Sequence, residues 1–564
     1  MALVDGGKLF AQALKREGVE QIFTLAGGHI MPIYYGCREV GIRIIDFRHE
    51  CAATYAADAY ARVTAKPGVV VTTAGPGVTN TTTAMSEALY QGSPILHIGG
   101  ASPSVMSDTG DEQDVNTLEI MGAVSKWARR IYHPHRIPEY VGMAFRHAMD
   151  ATPGPVYLEI GLDVLISRVE EDEIYYPDEY RAQAQSFGDP ALIEKAAEML
   201  IAAQKPMIVV GDGARFFAQH GDAVVELADY LKIPVSVQTV CRGLFADEDA
   251  NPLFCFAGAE AGAEVLLMLD VNNNFLVNKC WPPLFRSDAR FIQVSPDVTR
   301  IGYNAPAAIG IVGGAGPVAH QIYEAVKAKT KKRGESAWLE EAGAIVQQVA
   351  EPYLKGFMSQ EAPMHPGRCA FEVAKFLNEE GRDWTVVCDG GDAAEWIVAA
   401  VTARRPGQII KYGPNGTIGY GAGASVGAWA ANRKPVLYYT GDGSFGFYPM
   451  EFDTFCKQGM PLVCVISNDS AWGMIKKGEI MAHPKEVVRG HVGVELHHMR
   501  AYEKLAAIWD GYGVKVTKPE QIAPAIRQGY ASGKPAIINV EVSKVHASPV
   551  TEAIGFEFSK MVQE

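Results

Sequence analysis

Two oxygen-rich corners of the chain could share one cation. Residues 441–473 read GDGSFGFYPMEFDTFCKQGMPLVCVISNDSAWG, with Asp442 in the first corner and Asn468-Asp469 in the second. Asp442 follows the apolar run KPVLYYT, and the Asn-Asp pair follows the apolar run PLVCVIS. If the two runs are neighbouring parallel strands, their carboxyl ends lie side by side and bring three side-chain oxygen donors together. Mg2+ takes near-octahedral oxygens and commonly bridges one or two carboxylates to phosphates. Gly441 and Gly443 would let the backbone approach such a phosphate closely. The chain supplies its own comparison: PMIVVGDGARFF carries a second GDG at 211–213, yet 27 residues beyond Asp212 lies Thr239, with no oxygen pair. The first GDG is expected to serve a cation and the second to be a turn.

Other chemistry-bearing residues sit where strands end or helices begin. His29, in TLAGGHIMPIYYG, follows the first strand-like run at its carboxyl-end rim, where general acid–base work is possible. Glu50, in RHECAATYAADAYAR, opens a helical pattern whose small apolar face would bury its edge. Residues 423–427, GASVG, match the G-x-S-x-G of a hydrolase elbow. They follow no strand, so they read as small residues that let a helix pack closely. His497-His498 lacks companion ligands, and the nine Cys are scattered singletons, which points to reduced core thiols and not to disulfides or zinc.

The elements that must position these residues alternate between apolar strand-like runs and helical patterns, the signature of parallel sheets covered by helices. The expected architecture is α/β with three domains, each a mainly parallel sheet flanked by helices. Their expected bounds are 1–165, 190–330 and 361–547, with linkers at 166–189 and 331–360 and a tail at 548–564. A 564-residue chain is too long for one core. Its net charge of −14 argues against nucleic acid or an anionic membrane as partner. The first residues show no signal-peptide pattern and no apolar run nears the ~18 residues of a membrane span, so a cytoplasmic location is expected.

GDGS followed about 26 residues later by an Asn-containing pair is the diphosphate signature of thiamine-diphosphate enzymes. Over its whole length the chain resembles the pyruvate decarboxylase and acetolactate synthase superfamily. That resemblance implies thiamine diphosphate with Mg2+ as cofactors and the thiamine-diphosphate-binding fold for the first and third domains. It implies metal ligation by Asp442, Asp469 and the carbonyl of Ala471, with Asp469 standing where Asn is usual. It also implies that Glu50 protonates the aminopyrimidine ring of the cofactor. Thr73, Pro76 and Asn80 in VVVTTAGPGVTN would pack on that ring, as would the backbone of Gly390 and Gly391, while Ile418 would fold the cofactor into its bent shape. Gly441, Gly443, Ser444, Trp472 and Gly473 complete the implied cofactor contacts. A homodimer or homotetramer with active sites at the subunit interface is implied as well.

The reaction is read from fewer residues. Decarboxylases of the pyruvate type carry a His-His pair where this chain has Glu112-Gln113, in SDTGDEQDVNTLEIM. A His in the first loop with a Gln here resembles the benzaldehyde-lyase branch, which cleaves and forms acyloins. The resemblance implies that His29 and Gln113 relay protons and stabilise the substrate oxygen. The expected pocket for a small-molecule carbonyl substrate is Gly28, His29, Gln113, Trp396, Tyr412 and Trp472. The loop before His29 and the segment DAAEWIVAA depart from that branch. A 2-hydroxyacyl-CoA lyase is the main alternative, with Arg286, Arg290 and Arg300 available for CoA phosphates. Acetolactate synthase is disfavoured by the lack of a clear flavin signature, a 2-oxo acid decarboxylase by Glu112-Gln113. A catalytically silent oligomeric paralogue would have no physical need for Glu50, Asp442 and Asp469 together.

Overall fold

The computed structural model describes residues 2–182, 186–216, 221–244 and 252–563. Positions 183–185 of the expected first linker lie outside the described residues, as do positions 217–220 and 245–251 of the expected middle domain. The framework is α/β. The first sheet has six parallel strands in the spatial order Arg43–Asp46, Gln21–Thr24, Gly68–Thr72, Ile95–Ala101, Val156–Gly161, Trp127–Ile131. A five-stranded parallel sheet follows in the order Val235–Val237, Pro206–Val210, Val265–Leu269, Arg290–Ser295, Ala307–Val312. The third sheet again has six parallel strands, in the order Ile409–Lys411, Thr385–Cys388, Val436–Gly441, Leu462–Asn468, Ala536–Glu541, Tyr512–Val516. Their central runs, such as VVV and LVCVI, are apolar throughout because helices bury both faces.

Counted in chain order, the first and third sheets have the same spatial sequence of strands, 2-1-3-4-6-5. In each, the order reverses between the first and third strands, which opens a crevice at their carboxyl ends. Those ends are followed by residues 25–29 and Thr73 in one sheet, and by Asp389-Gly390 and Asp442 in the other. Every candidate region singled out by the motifs near His29 and GDGS therefore falls at a switch point.

The chain packs as two compact units. One comprises the first 183 residues with Tyr412–Arg433 and Tyr448–Gln458, and the other comprises the remainder. Within the first unit, helix Tyr420–Asn432 lies on helix Glu50–Thr64. A Cβ at Gly423 would collide with the Ala52 carbonyl, and one at Gly427 with the Ala56 carbonyl. Ser425 is buried and spends its hydroxyl on the Gly421 carbonyl of its own helix, at 2.7 Å. The G-x-S-x-G stretch is thus a helix–helix contact surface made of missing side chains. Gly427→Val is expected to destabilise this unit by at least ~2 kcal/mol, the scale of overpacking. An apparent melting temperature several degrees lower would report it, whereas an unchanged value would show that the helices separate freely.

In the second unit the middle-sheet core is backed by helix Ala337–Phe357, whose Trp338 and Ala342 pack with Leu266, Met268 and Phe291. The chain ends in helix Pro549–Gln563. No helix among the described residues is long and apolar enough to cross a membrane. Seven of the nine cysteines are buried, and these seven are free thiols.

Candidate active site

In the first unit, three side chains from separate loops meet at the switch point of the first sheet. His29 lies in the single turn Gly28–Ile30 after the first strand, and its Nδ1 is 3.4 Å from Thr73 Oγ1. Thr73 Oγ1 donates to Gln113 Oε1 at 3.3 Å. That donation uses the only hydroxyl proton of Thr73, so its oxygen accepts from His29 Nδ1–H. With Nδ1 so engaged, Nε2 is the ring nitrogen left to meet a ligand. Glycines make the convergence possible. A Cβ at Gly27 would collide with Thr73, and one at Gly75, already at φ +53°, would lie 2.9 Å from Gln113. Gln113 itself is held at φ +62°, and Ser102 pins the neighbouring Glu112 carbonyl at 3.0 Å.

Glu50 is the first residue of helix Glu50–Thr64 and only 7% exposed. Its Oε2 accepts a hydrogen bond from Asn80 Nδ2 at 3.0 Å. Pro76 opens the short helix Pro76–Thr79 that delivers Asn80. Behind this loop the buried His97 lies 2.8 Å from Thr72 and 3.4 Å from Thr81, and burial pushes its pKa down to about 3, so it is a neutral strut. Ile418 is half-buried in the segment 412–419, which Glu87 anchors by accepting from the Gly413 N–H and, at 2.9 Å, from the Thr417 hydroxyl. Tyr412, next to Gly413, is half-buried; Gly28 is exposed.

In the second unit, strands Val436–Gly441 and Leu462–Asn468 pair directly, with Gly441 opposite Ser467, so Asp442 and Asp469 leave adjacent strand ends. Both carboxyls are buried. Burial, followed by the facing Asp469 carboxylate, lifts Asp442 well above the usual carboxylate range, and burial likewise raises Asp469. Asn468, by contrast, is spent internally: its Oδ1 accepts the Ser470 N–H at 3.1 Å and its Nδ2 donates to Asn539 at 3.0 Å. Ala471 is buried, and its N–H is held by Asp469 Oδ1 at 3.2 Å. Gly390, at φ +84°, lets its loop close on GDGS, since a Cβ there would sit 3.0 Å from the Gly441 nitrogen and 3.2 Å from Ser444 Oγ. A Cβ at Gly443 would be 2.7 Å from the Trp472 ring, and one at Gly391 2.9 Å from Met474. Gly473 opens helix Gly473–Ala482, and a Cβ there would collide with the Asp469 carboxylate.

Two facing buried carboxylates beside a glycine-lined cradle form a donor set suited to a hard divalent cation and the phosphate it carries. The second GDG also has a buried carboxylate close by, since a Cβ at Gly213 would collide with that of Asp270, but its own Asp212 is engaged in the turn. Asp212 Oδ1 accepts the Val240 N–H at 3.0 Å, and Gln238 caps the Asp212 nitrogen at 2.9 Å, so this corner is a side-chain-stapled turn. Trp396, expected as a pocket wall, is instead 2% exposed and packs edge-on to Tyr353, Phe357 and His365. Its position on helix Gly391–Ala400 turns it into the core because Gly356 and Gly367 make room for its ring.

Four supporting residues escaped the sequence reading. Glu451 accepts the Arg48 N–H with both oxygens, at 3.1 and 3.2 Å, just ahead of Glu50, and burial pushes its pKa up to about 7. Glu87 anchors the Ile418 segment. Asp392 and Lys477 form a buried pair at 2.8 Å. The available signal was weak: each is a charged residue in a short helical stretch with other polar residues around it.

Two sheets of one strand order, one presenting a buried Glu and the other a carboxylate pair beside a glycine turn, are the frame of an enzyme that carries a diphosphate cofactor. The chain belongs to the thiamine pyrophosphate enzymes. It matches the N-terminal TPP binding domain over residues 4–120, the central domain over 193–322 and the C-terminal TPP binding domain over 389–540. It is 30% identical to the acetolactate synthase large subunit of Mycobacterium tuberculosis over 542 residues, covering 95% of each chain. It is 27% identical to the oxalyl-CoA decarboxylase of Escherichia coli, covering 96% of this chain and 95% of the relative. With human 2-hydroxyacyl-CoA lyase 1 it shares 26% identity over 96% of this chain and 94% of the relative. The family domains imply thiamine diphosphate, for which Mg2+ is the usual partner metal, and an enzyme of the lyase, carboligase and decarboxylase group.

Proposed function

We propose that the protein is a thiamine-diphosphate- and Mg2+-dependent carbon–carbon lyase and carboligase acting on 2-hydroxy ketones and aldehydes. The observation that carries this reading is the His29–Thr73–Gln113 cluster at the first switch point. Its members offer hydrogen bonds to a carbonyl oxygen and the charge that oxygen gains, and none is an Arg or Lys that would pair with a substrate carboxylate.

In this reading Asp442, Asp469 and the Ala471 carbonyl would hold Mg2+, and Gly441, Gly443, Ser444, Trp472 and Gly473 would line the diphosphate. Gly390, Gly391, Thr73, Pro76 and Ile418 would bear on the cofactor's rings. When bound, thiamine diphosphate supplies the electron sink for making or breaking a carbon–carbon bond next to a carbonyl. Glu50 would hold the proton to be exchanged with the aminopyrimidine ring on a carboxyl whose Oε2 Asn80 keeps in place. His29 Nε2, the ring nitrogen left open, takes and returns the proton of the substrate hydroxyl. Gln113 keeps Thr73 from donating to His29 and offers its amide NH2 to the substrate oxygen. Tyr412 and Trp472 are proposed to shape the acceptor side. The functional assembly is proposed to be a homodimer or homotetramer with sites at subunit interfaces, working in the cytoplasm, with domains at 1–165, 190–330 and 361–547.

A second reading, 2-hydroxyacyl-CoA lyase, is supported by the full-length similarity to relatives named for acyl-CoA substrates. A panel of acyloins, 2-oxo acids and 2-hydroxyacyl-CoA esters, with products identified by chromatography, separates the two. Acyloin cleavage and aldehyde coupling are expected to dominate; a preference for the CoA esters would install the second reading. His29→Ala is expected to cut carboligation by ~10²-fold or more, the usual worth of a positioned acid–base group. Near-normal rates would place the proton relay on another residue.

A further inference from the structure

The second unit holds a buried ammonium among the carboxylates assigned above to the cation. Lys477, on the second turn of helix Gly473–Ala482, is 3% exposed. Its Nζ reaches Asp392 Oδ2 at 2.8 Å and Asp469 Oδ2 at 3.4 Å. Asp392 in turn is fixed from behind. Its Oδ1 accepts the Ser548 N–H and the Thr551 hydroxyl, each at 2.7 Å, where helix Pro549–Gln563 begins. Lys477 is thus held by a carboxylate that is itself anchored by the terminal helix, and its free reach is spent on Asp469. Gly473 is what lets the Asp469 carboxylate approach the ammonium, because any side chain there would collide with Asp469 and come within 3.4 Å of Lys477 Nζ.

An unpaired buried ammonium beside a cation site would repel the cation, and an unpaired extra carboxylate would be costly without it. We propose that Lys477 is a positioning residue that orients Asp469 and matches the charge of the site to a divalent ion, so that Asp469 and Lys477 work only as a pair. Asp442, Asp469, Asp392 and Lys477 together carry two net negative charges when ionised. Replacing Asp469 by an amide leaves one, with Lys477 still in place; removing the lysine as well restores two. This inference rests on the assignment of Asp442 and Asp469 to Mg2+.

The test is a Mg2+ titration at fixed thiamine diphosphate, read by tryptophan fluorescence, for which the Trp472 ring against Gly443 is a built-in reporter. Asp469→Asn, which exchanges a carboxylate ligand for a neutral amide, is expected to weaken Mg2+ at least ~10-fold. Adding Lys477→Gln or, separately, Lys477→Ala is expected to restore affinity to within a few-fold of the parent, while adding Lys477→Arg, which keeps the charge, restores nothing. Full affinity in Asp469→Asn, or no recovery in either neutral double variant, would overturn the pairing, as would equal recovery with arginine. Asp442→Ala is run alongside. If it leaves the Mg2+ requirement intact, the assignment of the cation site fails; if it abolishes binding while the double variants do not recover, only the role of Lys477 fails.

Discussion

Glu50→Gln is expected to lower turnover by ~10²–10⁴-fold, the range for removing a positioned general acid or base. The change is nearly isosteric, and the amide oxygen still accepts from Asn80 Nδ2, the bond that the carboxylate makes at 3.0 Å. The helix start is held independently, because Glu451 and not Glu50 accepts the Arg48 N–H, and the His49 side chain accepts the Cys51 N–H at 3.1 Å. Circular dichroism and thiamine diphosphate retention should therefore match the parent. Turnover within a few-fold of the parent, with cofactor bound, would remove Glu50 from the proton path. Loss of both cofactor and fold would instead mean that its role is structural.

Asp442→Ala is expected to abolish the Mg2+-dependent retention of thiamine diphosphate, with the opposite sign of effect on the protein without cofactor. Asp442 is buried beside a second carboxylate, an arrangement that burial and like charge both penalise. Removing it relieves that penalty, so the cofactor-free variant should melt no lower than the cofactor-free parent. The parent gains ~2.7 kcal/mol at a ligand concentration a hundredfold above its dissociation constant. The corresponding rise in melting temperature should vanish in the variant, and gel filtration should strip its cofactor. An unchanged thermal shift would take Asp442 out of the cation site.

The cofactor half of the site was legible because its motif is local. Strand, glycine turn, helix and strand recur within 33 residues, so the direct pairing of Val436–Gly441 with Leu462–Asn468 follows from chain order. The contrast with Asp212 was legible only in part: the strand 27 residues on carries no oxygen pair, but Asp270, whose carboxylate lies against Gly213, follows the strand on the other side of Pro206–Val210. The three parallel sheets could be read from continuous apolar runs, but the identity of strand order in the first and third could not, since it depends on which strands pair. Lys477 and Asp392 lie 85 residues apart, and Glu451 and Arg48 lie 403 apart. Contacts of that reach are created by folding, and a charged residue in a helix gives no hint of its partner. Trp396 shows the converse: an aromatic near a glycine motif looks like a pocket wall until packing puts glycines around its ring.

The seam between helices Glu50–Thr64 and Tyr420–Asn432 changes how a saturation library of this protein should be interpreted. Gly423 and Gly427 face the Ala52 and Ala56 carbonyls on the helix that begins with Glu50, and the Ile418 segment leads into the other helix. Any side chain added at the two glycines wedges these helices apart and displaces both ends of the seam together. In an activity screen, the two glycines would score as essential and be mistaken for catalytic positions, although neither has an atom that can do chemistry. A parallel abundance screen would separate them, because they should fail in both while Glu50 fails only in activity.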